Sequence, residues 1–418
     1  MSMTWLTYNG SGPVTQGGYG LGWVVDYNPL NLPAYTVRLK YADGVTPTFN
    51  YGTGVQVSSS PNVWDLTYNN TTWYGILASH TSLLEILGGN TVGVRSMYAL
   101  CSGCTSLTKV AAFDTTSLTN MSNMFKDCSA LEEVPYLPTH NVTNMSTMFY
   151  NCARLETVPE FATSSVTNMS LMFQGCSALT SVPPFDTRSV TDMYGMFKNC
   201  PLLTSVPWFD TSSVTSMNWM FDYCPSLTSV PLFDTSSVTD MRGVFRECRS
   251  LTSVPLFNTH SVTDMSVMLA NCTSLTSVPL FDTGEVTNMS SMLAGCSALT
   301  SVPLFNTSTV TNMNTMMRDC TSLTSVPLFD TGSVTNMNQM LYGCYSLTAI
   351  PLFDTSSAVN MDYMCYRCDN VQSGALALYQ QASSQAVPPY SHTGTFRDCG
   401  WNNTSGAAEL AQIPSDWK

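Results

Sequence analysis

Apolar positions return in the same order along most of this chain. In one stretch Val238, Met241, Val244, Phe245 and Cys248 follow one another at intervals of three, three, one and three residues. That spacing predicts one face of a short helix. Asp240 stands just ahead of Met241, where a helix cap belongs. The equivalent position in the other units is Ser96, Asn120, Asn144, Asn168, Asp192, Ser216, Asp264, Asn288, Asn312, Asn336 and Asn360. All are capping types, so the pattern predicts about two helical turns starting there. Leu251-Thr-Ser-Val254-Pro255 follows, with Leu and Val facing inward and Thr-Ser outward. This reads as a very short strand, ended by a proline that has no ladder donor. Leu256-Phe257-Asn258-Thr259 then leads into the next unit, and the Asp or Asn before the Thr closes a turn on its own backbone.

The unit recurs every 24 residues, marked by Cys104, Cys128, Cys152, Cys176, Cys200, Cys224, Cys248, Cys272, Cys296, Cys320, Cys344 and Cys368. A fixed period of this size is the signature of a solenoid, whose units bury their apolar sides against one another. The expected fold is an α/β solenoid, a leucine-rich-repeat-like stack of short parallel strands and short helices. Twelve repeats occupy residues 92–371. Residues 68–91 read as an N-terminal capping repeat, with Trp73, Ile76, Leu77 and His80 in the Met, Met, Phe and Cys slots. Residues 372–418 read as a C-terminal capping repeat with insertions. One insertion carries a helix around Ala375 to Gln385, Phe396 to Cys399 repeats the helix ending, and Leu410 and Ile413 repeat the strand. Residues 1–67 differ in kind. Tyr35 to Tyr41 alternates like a strand, and Val55, Val57 and Trp64 suggest more, so a small β-rich head is expected. About fourteen turns at roughly 4.8 Å each would make a rod about 65 Å long.

Composition narrows the function classes. Only 10% of residues are charged and the formal net charge is −13. The basic footprint of a nucleic-acid binder is therefore missing. No apolar run is long enough to insert in a membrane, and Met1 to Gly10 lacks the basic and apolar regions of a secretory signal. The regular cysteines and 25 methionines read as inward packing in a reducing compartment. Cys101/Cys104 and Cys365/Cys368 have zinc-like spacing but lie eleven turns apart, on the order of 50 Å, so they cannot share an ion. Asp186, Asp210, Asp234, Asp282, Asp330 and Asp354 could form a calcium ladder, but Asn at 258 and 306 favours turn closure. His80, His140, His260 and His392 are scattered, and no catalytic triad, carboxylate pair or phosphate loop is visible. No cofactor and no enzymatic activity are expected.

The repeat LTSVPLFDTSSVTDMRGVFREC resembles the BspA-like branch of the leucine-rich repeats, over roughly Thr91 to Cys368, with Phe-Asp-Thr-Ser-Ser-Val-Thr-x-Met its most specific run. The resemblance implies a solenoid that recognises a surface, as in bacterial adhesins, and similar arrays occur in proteins of bacteriophages. With no leader or anchor motif visible, the expectation is a phage virion component of tail or fibre type. Its head would attach to other virion proteins or a second copy, and its solenoid would meet a host glycan or protein. The alternative is a bacterial cell-surface adhesin. The candidate contacts are Tyr150, Tyr194, Trp208, Trp219, Tyr223 and Tyr342, aromatics on the outer helix positions or just after the proline. Trp208 also suits an inward placement. The repeated Thr-Ser pair suits either a repetitive glycan or a satisfied threonine ladder.

Overall fold

A computed structural model describes residues 28–385 and 387–418. Three strands open the described chain: β1 (Thr36–Tyr41), β2 (Thr53–Ser59) and β3 (Asn62–Thr67). With β4 (Leu83–Asn90) and β5 (Lys109–Val110) they form one sheet in the order β2-β3-β1-β4-β5. Pairing is antiparallel up to β4 and parallel from β4 to β5, so β4 turns a meander into a stack. Val37, Leu39, Tyr41 and Leu66 of this sheet share one apolar core with Trp73, Ile76 and the coils beyond. Most of the aromatic, charge-poor opening assigned to attachment lies in residues 1–27, outside the described residues.

From Thr72 onward the chain winds as a spiral. A parallel bridge links Thr72 to Ser96, Ser96 to Asn120, and so on every 24 residues to Asn360, which bridges Ser391. Fourteen coils result among the described residues. The frame inferred from Trp73 to His80 holds: the Trp73, Gly75, Leu77 and Ser79 amides donate to Ser96, Tyr98, Leu100 and Ser102.

The expected helices are absent from the repeats. In the coil of Met241, the amides of Met241, Gly243, Phe245 and Glu247 donate to Asp264, Ser266, Met268 and Ala270 of the next coil. The amides between them, of Val244, Arg246 and Cys248, close three-residue-back turns onto Met241, Gly243 and Phe245. An α-helix would spend every amide internally. Here alternate amides join neighbouring coils instead. The alternation needs a left-handed residue twice per coil, at Gly243 and Glu247 in this one. The expected cap residues keep their local role: Asp240 Oδ1 accepts the Arg242 amide at 2.9 Å, closing an Asx turn rather than starting a helix.

The expected strand forms at the two ends of the described spiral, where β5 pairs in parallel with β4, Lys109 bridges Glu133 and Ala349 bridges Ser373, but not in the coils between. The inter-coil ladder runs through those Asx-turn positions, whereas Leu251 to Val254 forms no strand. On that side Thr276 donates, from its amide at 3.3 Å and its hydroxyl at 3.4 Å, to the Thr252 carbonyl, and the Ser274 amide donates to the Arg249 carbonyl at 3.2 Å.

The interior is built in columns. Phe125, Phe149, Phe173, Phe197, Phe221 and Phe245 stack with ring centroids 5.6–5.8 Å apart. All fifteen cysteines are buried and unbridged. From Cys104 to Cys368, each thiol of the 24-residue series donates to a carbonyl 27 residues earlier at 3.0–3.2 Å. A buried threonine column runs beside it. From Thr139 to Thr331 each hydroxyl donates at 2.6–2.8 Å to a carbonyl of the next coil, as Thr259 does to Asp282.

At the C-terminal end α1 (Ala375–Ser383) matches the expected inserted helix. Leu410, expected in a strand, lies in a second helix, α2 (Thr404–Gln412), because Asn403 accepts the Gly406 amide at 2.7 Å and caps it. The last coil, Ser391 to Cys399, takes the amides of Met361, Tyr363, Cys365 and Arg367, and Trp417 stacks on His392 at 4.2 Å.

Candidate functional site: an apolar stripe along the spiral

After the proline the chain makes a tight local turn. The Phe257, Phe281, Phe305, Phe329 and Phe353 amides donate back to the carbonyls of Pro255, Pro279, Pro303, Pro327 and Pro351. Each is a γ-turn with one leucine at its centre. The turn returns the phenylalanine to the core and turns the leucine out. The leucines at these centres are exposed, and with Trp208 and Leu232 at the same position the column Trp208, Leu232, Leu256, Leu280, Leu304, Leu328 and Leu352 is 53–61% exposed on seven successive coils. Towards the N-terminus the column runs on through the exposed Pro184, is broken by Glu160, and resumes at Tyr136.

This is an unusual amount of exposed apolar surface. Seven such side chains present on the order of 700 Å², above the few hundred Å² that an ordinary monomer leaves open and near the ~800 Å² per partner of a standard interface. Six coil steps make the stripe about 29 Å long. In the sequence these leucines read only as part of the return to the next unit. Their signal was the repetition of Leu at a turn position, where packing does not require it.

An acidic border runs beside the stripe. Two residues beyond each stripe position stands Asp210, Asp234, Asn258, Asp282, Asn306, Asp330 or Asp354. Each closes an Asx turn, as Asp234 Oδ1 does by accepting the Ser236 amide at 3.0 Å. The hydroxyl and amide of Ser236 hold the Asp234 carboxyl below the ordinary carboxylate value. The Ser356 amide and hydroxyl do the same for Asp354, and the Gly284 amide, with His260, for Asp282. The turn closure expected from the Asp column is therefore what the structure shows. His260, 3.1 Å from Asp282, is the one basic side chain in this border beyond Trp208 among the described residues.

The six aromatic candidates do not form one site. Trp208 heads the stripe, exposed rather than inward. Tyr150, Tyr194, Trp219, Tyr223 and Tyr342 lie on the Met-bearing turn; Tyr223 is exposed and the others are half-buried. Lys126 lies over the Tyr150 ring at 5.4 Å and Arg318 over that of Tyr342 at 4.7 Å. Trp219 has Lys198 at 5.1 Å and Arg246 at 5.2 Å. Those two cations pair with Asp222, whose side chain is 1% exposed, at 3.1 and 2.7 Å. A cation thus lies over the Tyr150, Trp219 and Tyr342 rings within the coil stack.

The exposed threonines form a ladder, Thr228 to Thr204 and Thr324 to Thr300 by hydroxyl to carbonyl at 3.2 Å. Cys101 and Cys365 occupy the phenylalanine slot in the core, and the Cys101 carbonyl accepts the Cys128 thiol. His80 lies 2.6 Å from the Tyr41 hydroxyl and stacks on Phe49, with burial lowering its pKa. Among the described residues no group of three or more His, Cys, Asp or Glu could hold a metal ion. No described helix is long and apolar enough to cross a membrane.

A family profile described as "Mycoplasma protein of unknown function, DUF285" matches residues 79–183, 132–226, 177–279, 203–301 and 275–377. No curated protein matches the chain. Solved structures similar to it include a leucine-rich cell-surface protein of Faecalibacterium prausnitzii, at 18% identity and TM-score 0.36, covering 74% of this chain and 82% of that one. A leucine-rich repeat protein of Eubacterium ventriosum has 16% identity and TM-score 0.37 over 74% of this chain and 82% of its own. The T. pallidum leucine-rich repeat protein has 16% identity and TM-score 0.27, over 56% and 85%.

Proposed function

The chain belongs to the DUF285 family, in keeping with its BspA-like repeat motif, and on that premise we propose a non-enzymatic binding protein that meets its partner through the Pro-Leu stripe. The observation that carries this reading is the run of seven outward apolar side chains on consecutive coils. A rigid column of amide-linked coils costs little entropy to order at the contact, which favours binding by a flat, preformed surface. The acidic border and the net charge of −13 select the occupant: a protein surface with an apolar ridge and a basic flank. Of the six aromatics, the proposed contact keeps Trp208.

The proposed site of action is the bacterial cell surface, where BspA-like repeats serve adhesion. A virion component is the second reading, favoured by the composition of residues 1–34, rich in Gly, Asn, Tyr and Pro with few charges, which suits an attachment segment. Antibody labelling of intact producing cells against purified particles separates the two.

The stripe is tested with Leu256→Ser, Leu280→Ser and Leu304→Ser combined in the full chain. These side chains are exposed, so thermal unfolding is expected to be unchanged. Adhesion of the purified protein to a panel of bacterial and epithelial cells is expected to fall about tenfold or more, as for loss of interface hot spots. Equal adhesion of variant and parent would remove the stripe from the function. Concentration-dependent association of the parent alone, lost in the variant, would identify the partner as a second copy.

A further inference from the structure

Where the β-rich end meets the first coils, tyrosines from separate parts of the chain surround one cleft of about 380 Å³. We propose that this cleft binds a saccharide. Tyr74 and Tyr98 stand on successive coils and stack with centroids 4.8 Å apart and planes 15° from parallel. Tyr74 is 64% exposed. Tyr51 reaches the cleft from the segment just before β2, backed by Tyr68 at 5.9 Å. The floor between them is small, made of Gly75, Ala78 and Ala99, and the rim is polar, made of Ser102, Asn123 and Lys126.

The chemistry of the lining suits a pyranose ring. Such a ring has an apolar C–H face and an edge of hydroxyls. A tyrosine face takes the first, and hydroxyl, amide and ammonium groups take the second. The volume lies at the lower end of the 300–1,000 Å³ typical of ligand sites. Lys126 is the one charged residue in the lining, with no carboxylate beside it there, so a saccharide bearing an acid group is preferred.

Nothing in the coil requires these side chains. The position of Tyr74 and Tyr98 is held by Ser122, Ser146 and Ser170 in the next three coils, with the same hydrogen bonding between coils. The tyrosines are therefore additions to the repeat; Tyr194 holds the same position further along, but at Tyr74 and Tyr98 the segment before β2 supplies a third. The cleft lies ahead of Trp208, so the inference stands apart from the stripe.

The test uses the full chain against a printed panel: N-acetylhexosamine oligomers, neutral gluco- and galacto-oligosaccharides, and sialylated and uronate-bearing fragments. Binding to at least one class is expected, and Tyr74→Ala should weaken it about tenfold or more, as for the loss of a central aromatic contact. Tyr74→Trp, which keeps a stacking face, should retain it, and Lys126→Met should weaken the acidic members alone. Capture of the N-acetylhexosamine arm would assign the ligand to a bacterial wall, and capture of the sialylated arm to a host glycan. Leu280→Ser should leave panel binding untouched, which separates failure of the cleft from failure of the stripe. A panel with no bound member, or binding indifferent to Tyr74→Ala, overturns the proposal.

Discussion

Thr259 shows how one side chain joins two coils. Its hydroxyl is buried and donates at 2.7 Å to the Asp282 carbonyl, and its own carbonyl accepts the Val262 amide that shapes the turn. Valine has nearly the same shape but cannot donate. Thr259→Val is therefore expected to cost about 1–3 kcal/mol, the penalty for leaving a buried acceptor without its partner. Urea denaturation checks it; a midpoint within error of the parent would mean that water reaches the carbonyl. Each Cys Sγ of the 24-residue series makes an inter-coil bond too, so the thiol column is also a hydrogen-bonded seam. The inward, unbridged placement of the cysteines was legible from their period. Their carbonyl partners were not, because an acceptor 27 residues away belongs to the winding of the spiral.

At the level of the coil, the apolar spacing pointed to a helix and the chain made interleaved turns instead. The inward face that the spacing implies is present: Met241, Val244, Phe245 and Cys248 are all buried in the core. What decided between helix and turns was the residue before each cysteine, which is Gly, Asn or Asp in most coils, for example Asp127, Asn151, Gly175, Asn199, Asn271, Gly295, Asp319 and Gly343. All of these adopt positive φ. They are the residues that enter the left-handed region most easily, so a signal against the helix was present and was outweighed by the cap-like Asn and Asp. The second left-handed position has no such preference and holds strained residues, among them Val267 at φ 51°. Replacing a β-branched residue there relieves strain, so Val267→Asn should raise stability by about 1 kcal/mol. A rise in the urea midpoint checks it; a fall would show that packing of the isopropyl group outweighs the backbone. The stripe was the least legible part of the site, since only the γ-turn, a hydrogen bond two residues long, decides that Leu256 points out while Phe257 points in.

Across the whole molecule, stacking turns small features into long columns, and columns add. Burial raises the pKa of twelve thiols, and in Cys365 the hydrogen bond with Cys368 leads burial in the same direction; Cys224 and Cys272 are pushed up to about 12. An unfolded chain ionises its thiols near pH 9 while the folded one holds them neutral. The stabilisation is therefore complete below pH 9 and is lost as pH rises towards the folded values. Each thiol contributes about 1.4 kcal/mol per pH unit in that window, so the sum is steep. Unfolding in a narrow interval above pH 9, with thiolate absorbance rising in the same step as the loss of ellipticity, is expected in an alkaline titration. Gradual thiolate formation in a chain that keeps its ellipticity would contradict the sealed column. The same addition makes single exposed leucines into a continuous contact surface, and that surface carries the proposed function. The most direct measurement places a photoreactive leucine analogue at position 280 and, in a second protein, at position 223, and illuminates each on cells to which the parent adheres. Capture of the bound surface protein through position 280 and not through position 223 is the predicted result; capture through 223 with none through 280 would contradict it.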